Sequence, residues 1–176
     1  MNDSEKSATI VALTELSPSV MRQIVSLHLN YYCKNFGFGE KFEQSITKDL
    51  VSFSQRLSHR NNRLWLATRN DEILGSLAID GVSMGDGHAQ LRWFILDPSL
   101  HSKGFGGSML SNAIDFCKIH GFCEIHLWTF SDLHAARALY LRHGFGCVEE
   151  SRGAQWGVEV LEQRYLLSLA SQVNHR

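Results

Sequence analysis

The stretch LRWFILDPSLHSKGFGGSML, Leu91 to Leu110, decides how this chain folds. An apolar run ends at Asp97-Pro98, a polar turn follows, and three glycines stand within four residues at Gly104, Gly106 and Gly107. A helical pattern then begins. A strand that hands over to a helix through glycines leaves the first helical N–H groups without intrahelical partners and with partial positive charge. Such donors can cradle a phosphate when no side chain stands in the way. Close packing of the helix on its neighbours would ask for the same glycines, so two readings stay open on this stretch alone. Two well-known phosphate cradles fit poorly. A P-loop needs Gly-Lys-Ser/Thr where Gly107-Ser108-Met109 stands, and the dinucleotide fingerprint needs a third glycine at Met109.

Outward from this stretch the elements follow by periodicity. Upstream, Ala8–Thr14 reads as a strand, and Ser17-Pro18 starts a helix, with Ser as cap and Pro at the first helical position. That helix carries Met21, Ile24, Val25, His28 and Tyr32 and stops at Gly37; a second carries Phe42, Ile46, Leu50, Phe53 and Leu57. Arg63–Arg69 and Glu72–Ile79 are strands joined by Asn70-Asp71, which suits a tight hairpin, and His88–Asp97 is a longer strand. Downstream come a helix to about His120, a strand Phe122–Thr129, and a helix Ala135–Arg142 capped by Ser131 or Asp132. A hairpin around SRGAQWG closes the chain. The helix after Gly107 is a crossover, so the strands flanking it run parallel while the hairpin-linked strands run antiparallel.

The chain has 176 residues, 44% hydrophobic and 20% charged, with a formal net charge of −1. That length suits one domain with a real core: a loose terminus over 1–7, a domain over 8–168 and a tail over 169–176. Near-neutral charge gives no field that favours nucleic acid or an anionic membrane, and no apolar run reaches spanning length. The amino terminus MNDSEKSATI lacks a signal-peptide core, and Cys33, Cys117, Cys123 and Cys147 form no CxxC pair. They read as reduced thiols of a cytoplasmic protein.

ILDPSLHSKGFGGSML resembles the acyl-CoA-binding motif of the GNAT N-acyltransferase superfamily, Arg/Gln-x-x-Gly-x-Gly/Ala after an apolar strand. HAARALYLRHGF, His134 to Phe145, resembles the family's later helix with its Leu-Tyr and Gly-Phe. LRWF, LWTFS and EQRY further resemble acetyltransferase domains that elsewhere are fused to winged-helix regulators, with no such DNA-binding domain in these residues. The resemblance implies an α/β (α+β) fold. Its sheet is mixed, mostly antiparallel and seven-stranded, with a splayed central parallel pair and about four flanking helices.

The resemblance also implies a mechanism. A bulge splays the motif strand from Cys123–Thr129, and the pantetheine arm of acetyl-CoA pairs with free backbone groups at Phe94 and Leu96. The pyrophosphate sits on the turn formed by His101, Ser102, Lys103, Gly104, Phe105, Gly106 and Gly107. A backbone N–H near Phe94 or Ile95 holds the thioester oxygen. An unidentified amine attacks directly, and Tyr140 protonates the departing thiolate. The oligomeric state is open between monomer and homodimer.

The chain departs from the family pattern in three places. His101 replaces Arg or Gln and offers less fixed charge; Lys103 can compensate. Gln90 replaces a glutamate that some relatives use as a base. Strand alternation places Gln90, Arg92 and Phe94 on one face, where Gln90, Arg92 and backbone carbonyls could order a water chain that takes the amine's proton. The alternative is that Gln90 and Arg92 only solvate a strand. Glu149, Glu150 and Glu162 are further base candidates. Leu133 replaces an asparagine, which leaves Ser131 as the polar contact to pantetheine or as a helix cap. In the family, the first helix and the last hairpin wall the acceptor pocket, which points to Tyr32, Phe36 and Trp156. Trp65, Trp93 and Trp128 read as core, and His28 as a packed helix histidine. Cys117, His120, Cys123 and His126 recur every three residues, but helix and strand geometry spreads them, so no metal is expected. A CoA-binding module without turnover, and a nucleotide-binding protein that reuses the glycine turn, are the rival readings.

Overall fold

The computed structural model describes residues 7–169. The expected loose terminus and tail therefore lie almost wholly outside the described residues. Seven strands and four helices follow in the expected order, and one short 3-10 turn, Pro98–Leu100, is added after the motif strand. The strands are β1 (Thr9–Leu13), β2 (Arg63–Arg69), β3 (Glu72–Asp80), β4 (His88–Leu96), β5 (Glu124–Phe130), β6 (Gly146–Gly153) and β7 (Val160–Ser168). The helices are α1 (Pro18–Phe36), α2 (Glu40–Ser54), α3 (Phe105–Ile119) and α4 (His134–Arg142). They build one seven-stranded sheet in the order β1-β2-β3-β4-β5-β7-β6, in which only β4 and β5 run parallel.

Local chemistry sets several boundaries. Ser17 accepts a hydrogen bond from the Val20 N–H at 3.2 Å, Pro18 opens α1, and Gly37 ends it in the left-handed region at φ 69°. Asn70 and Asp71 both hold positive φ, 50° and 64°, as a two-residue hairpin between right-twisted strands requires. The expected side-chain cap on α4 is absent: Leu133 occupies the cap position, and the Ser131 hydroxyl donates to Asp132 instead.

Alternation along the strands sorts the core onto two faces. One face packs Met109, Leu110, Ala113 and Cys117 of α3 against Ala89, Leu91, Ile125 and Leu127 of the central strands. The other packs Ile24, Phe42, Ile46, Leu50 and Phe53 of α1 and α2 against Leu64, Leu66, Ala78 and Phe130.

The motif strand breaks its own alternation. Opposite β3, Ser76 pairs with Ile95 but Ala78 pairs with Arg92, so β4 carries one extra residue there. Trp93 absorbs it at φ 48°, a conformation that costs a non-glycine residue about 1–3 kcal/mol. Three contacts hold the bulge. The Ser76 hydroxyl donates to the Trp93 carbonyl at 2.6 Å, Phe53 packs at 5.2 Å, and the Arg92 guanidinium lies 4.2 Å from the indole centroid.

The bulge corrects one expectation. Arg92 turns to Asp49 of α2, whereas Phe94 packs with the α3 core and lies 6.1 Å from the Tyr140 ring. Gln90, Arg92 and Phe94 therefore do not share a face. The extra residue reverses the side on which every later β4 side chain lies.

Candidate active site

Pairing between β4 and β5 covers only His88–Glu124, Ala89–Ile125 and Gln90–His126. Past Gln90 the two strands diverge, and a cleft of about 590 Å³ opens between them. It runs from the start of α3 to the space beneath α1 and α2. The splay follows from the bulge, because Trp93 swings the end of β4 away from its parallel neighbour.

At one end of the cleft stands the glycine turn. Ser102 and Gly104 adopt positive φ, 58° and 83°, and α3 begins at Phe105 with no side-chain cap. The first helical bond runs from the Ser108 N–H to the Gly104 carbonyl, so the N–H groups just before it point out of the helix start without helical acceptors. The three glycines differ in purpose. A Cβ at Gly106 would meet Leu139 at 3.2 Å and Leu96 at 3.3 Å, so this residue lets α3 sit close on β4 and α4. Gly104 is required by its φ, and a Cβ there would meet nothing within 4 Å. At Gly107 the nearest atom would be His143 Cε1 at 3.9 Å. Gly106 thus serves close packing, whereas Gly104 and Gly107 leave open room at the helix start. The open room before a run of free N–H donors fits a diphosphate.

Several expected residues face this half of the cleft: Phe94, Ile95, Leu96, His101, Ser102, Gly104, Gly106, Gly107 and Tyr140. Lys103, Phe105 and Ser131 lie outside its wall; Phe105 packs into the α3 core instead. His101 turns back and donates from Nε2 to the Leu96 carbonyl at 3.0 Å, tying the turn to the strand end. Arg142 of α4 also lines the cleft, a position its place at a helix end does not reveal in the sequence.

Tyr140 sits where strand, helix and cleft meet. It is 5% exposed, and its ring lies 5.8 Å from Phe145 and 6.0 Å from Tyr165. Burial, reinforced by the nearby phenols of Tyr32 and Tyr165, pushes its pKa well above the ordinary tyrosine value. The hydroxyl therefore keeps its proton throughout the neutral range. Its residue lines the cleft.

The other half is walled by side chains. Tyr32, Phe38, Phe42, Phe130 and Trp156 converge, with Tyr32 and Phe38 stacked at 5.5 Å and Phe38 and Trp156 at 6.3 Å. Phe36 packs on Phe130 at 5.0 Å and stands behind this wall rather than in it. Trp156 is held by its loop. Glu162 accepts from the Gln155 N–H at 3.0 Å, and Lys41 reaches the Ala154 carbonyl at 3.4 Å. Trp128, expected in the core, is 39% exposed and lines the cleft. His28 is packed as expected: it donates from Nδ1 to the Ile24 carbonyl at 2.8 Å, and burial pushes its pKa down to about 4.

Charge on this side is carried by a chain of four groups. Asp49 binds Arg92 at 2.9 Å, Arg92 lies 3.7 Å from Asp80, and Asp80 binds Arg56. Asp80 is fully buried. Burial alone would raise its pKa, but the Arg56 hydrogen bond and charge, with the Val82 and Ser83 N–H groups, hold it below the usual range. Asp49 is the only carboxylate among the described residues that line the cleft, and the sequence reading did not single it out. The carboxylates it did single out are engaged elsewhere. Glu149 holds Arg164, Glu150 accepts from Gln163, and Glu162 holds the Trp156 loop. Gln90 and Arg92 both line the cleft, and Arg92 does so with both carboxylates attached.

The recurring Cys and His residues are not gathered. Among the described residues the metal-ligating types that converge are His88, Glu124 and His126. Glu124 Oε2 accepts from His126 Nε2 at 3.0 Å and from His88 Nδ1 at 3.1 Å. Arg164 donates to His126 Nδ1 at 3.1 Å, which requires a lone pair there and places the proton of neutral His126 on Nε2. A metal would need the reverse tautomer, with a proton facing the guanidinium. The trio is a hydrogen-bonded cluster.

A profile of the acetyltransferase (GNAT) family matches residues 24–145. No curated protein matches the chain. Solved structures share the fold at low identity. A GNAT-family acetyltransferase from Staphylococcus aureus aligns over 93% of this chain and 99% of its own, at 17% identity and a TM-score of 0.73. A Salmonella typhimurium protein solved with acetyl-CoA aligns over 94% of this chain and 96% of its own, at 15% identity and 0.73. The Escherichia coli ribosomal-protein-S18-alanine N-acetyltransferase aligns over 97% and 99%, at 17% identity and 0.67.

Proposed function

The chain belongs to the GNAT acetyltransferase family, and from that premise we propose that it moves an acetyl group from acetyl-CoA to a primary amine by direct attack in a ternary complex. The observation that carries this reading is the gap between β4 and β5 past Gln90, which joins the open helix start at Gly104 and Gly107 to the Tyr140 hydroxyl. Acetyl-CoA supplies the acyl group already activated as a thioester.

The chain's own groups divide the remaining work. The N–H donors at the start of α3 hold the diphosphate, with Arg142 and His101 as nearby cations and donors. Unpaired backbone groups of Phe94 to Leu96 align the pantetheine arm as an added strand. The Leu96 carbonyl already serves His101, so its second lone pair is what remains for the arm. A backbone N–H at Phe94 or Ile95 stabilises negative charge building on the acyl oxygen. Tyr140, kept protonated by burial, donates to the leaving sulfur, and the proton shed by the attacking nitrogen passes to solvent in the open cleft, from which the phenol is reprotonated.

One observation favours a second reading. Gln90 cannot take a proton, and the cleft's single carboxylate is engaged by Arg92. A CoA-binding module without turnover would look like this. Thiol release from acetyl-CoA with a panel of amines separates the two. Under our reading, turnover is seen, and Tyr140→Phe lowers kcat by about 100-fold while CoA affinity stays within about twofold. CoA binding with no thiol release from any amine supports the module instead. None of the described helices is long and apolar enough to cross a membrane, and the four cysteines are free. Both facts accord with a cytoplasmic site of action.

A further inference from the structure

The acceptor half of the cleft carries little net charge and much aromatic surface. Asp49 is its one carboxylate, and the chain Asp49–Arg92–Asp80–Arg56 sums to zero formal charge. A polyamine or a lysine-rich peptide would bring several positive charges to a wall with a single anion, already half neutralised. The room for one cation is nevertheless present. Arg92 uses Oδ2 of Asp49, while Oδ1 has no partner among the described residues, and the side chain is 43% exposed. A carboxylate accepts several hydrogen bonds, so an ammonium can join at Oδ1 without displacing Arg92. Arg92 is also anchored independently, by Asp80 and by the Trp93 ring.

Around this anion the cleft presents rings. Tyr32 and Trp156 are half-buried on one wall, and Trp128 leaves 39% of its surface open on another. An exposed indole beside a cavity is costly to leave in water and gains by covering an apolar ligand. The same rings favour a cation near their faces.

We propose, on the basis of the acetyl-transfer reading, that the acceptor is a small amine with one positive charge on an aromatic or branched apolar body. Asp49 holds its ammonium, and the Tyr32, Trp128 and Trp156 rings cover its body. The Asp49 carboxylate is a binding group here; it raises the local concentration of the amine beside the splayed strands.

The test is direct binding by calorimetry, with CoA present, of 2-phenylethylamine, its neutral analogue 2-phenylethanol, and spermidine. Wild-type protein should bind 2-phenylethylamine at least about tenfold more tightly than spermidine or 2-phenylethanol. Asp49→Asn should remove about tenfold from 2-phenylethylamine and leave 2-phenylethanol unchanged, and Asp49→Glu should recover most of the loss. Tighter binding of spermidine overturns the proposal. So does equal weakening of both phenyl ligands in Asp49→Asn, or a loss in Asp49→Glu as large as in Asp49→Asn, since either would mark a structural role. Thiol release is measured in parallel. If 2-phenylethylamine binds as stated but no amine releases thiol, the transfer reading fails while the binding assignment stands. If spermidine is acetylated and 2-phenylethylamine is not, the binding assignment fails while transfer stands.

Discussion

The half of the cleft beside α3 is built around a backbone turn and a strand edge, whereas the half beneath α1 and α2 is walled by side chains from distant elements. The first uses Ser102 and Gly104 in left-handed conformations, N–H groups at Gly106 and Gly107 that precede the first helical bond, and the unpaired edge of β4. The second joins Tyr32 of α1, Asp49 of α2, Trp128 of β5 and Trp156 of the last hairpin. Under the acetyl-transfer proposal, the half beside α3 recognises what every acyl-CoA shares. A side-chain-built half can change its ligand by single substitutions without disturbing the sheet. The two meet at the Trp93 bulge, whose packing belongs to the second half and whose consequence, the open strand edge, serves the first.

That division can be broken from either side. The largest effect should come from Asp80→Asn, which leaves Arg56 and Arg92 without their buried partner. We expect a loss of about 3 kcal/mol in chemical denaturation, discounted because both guanidiniums are partly exposed. The pKa of Asp80 is lowered in the folded state, so its contribution is complete above the ordinary aspartate value of 3.8 and is lost as pH falls through the folded value. The mutant should lose that acid-dependent part of the unfolding curve.

His28 probes the same half through a different window. Its folded pKa of about 4 lies below the ordinary 6.5, so between these values the unfolded chain binds a proton that the folded chain refuses. Stability should therefore rise with pH across this window, by up to roughly 3 kcal/mol. His28→Leu should flatten the slope in urea titrations at a series of pH values.

Gly106→Val tests the backbone-built half. The added atoms meet Leu139 and Leu96, so α3 must move off β4. We expect a stability loss of about 2 kcal/mol and at least about tenfold weaker CoA binding by calorimetry. Unchanged CoA affinity would show that the helix start can shift without cost to the diphosphate site. The smallest effect is expected of His101→Arg. Fixed charge should tighten CoA by about threefold, tempered by loss of the bond to the Leu96 carbonyl. No change in affinity would remove residue 101 from diphosphate recognition.

The backbone-built half was largely legible in the sequence because its determinants are local. Asp97-Pro98, the spaced glycines and the following helical pattern are contiguous, and glycine at Gly104 reports a backbone angle directly. Tyr140 was legible through the Leu-Tyr and Gly-Phe pattern around it. The acceptor half was legible only in part. Tyr32 and Trp156 were singled out, but Asp49 reads in sequence as one more polar residue on the outer face of a helix. Trp128 reads as a buried strand ring, because nothing local records that β5 loses its neighbour past His126.

Periodicity, capping residues and turn chemistry determined the order of elements, the antiparallel hairpins, the single parallel pair and the glycine turn, since each depends on neighbours a few residues apart. Only the tertiary structure decided the bulge at Trp93, the reversal of Phe94 to the α3 face, and the charge chain from Asp49 to Arg56. Those depend on Ser76, Phe53 and Asp80 arriving from other strands and helices, and no spacing within one segment encodes such an arrival.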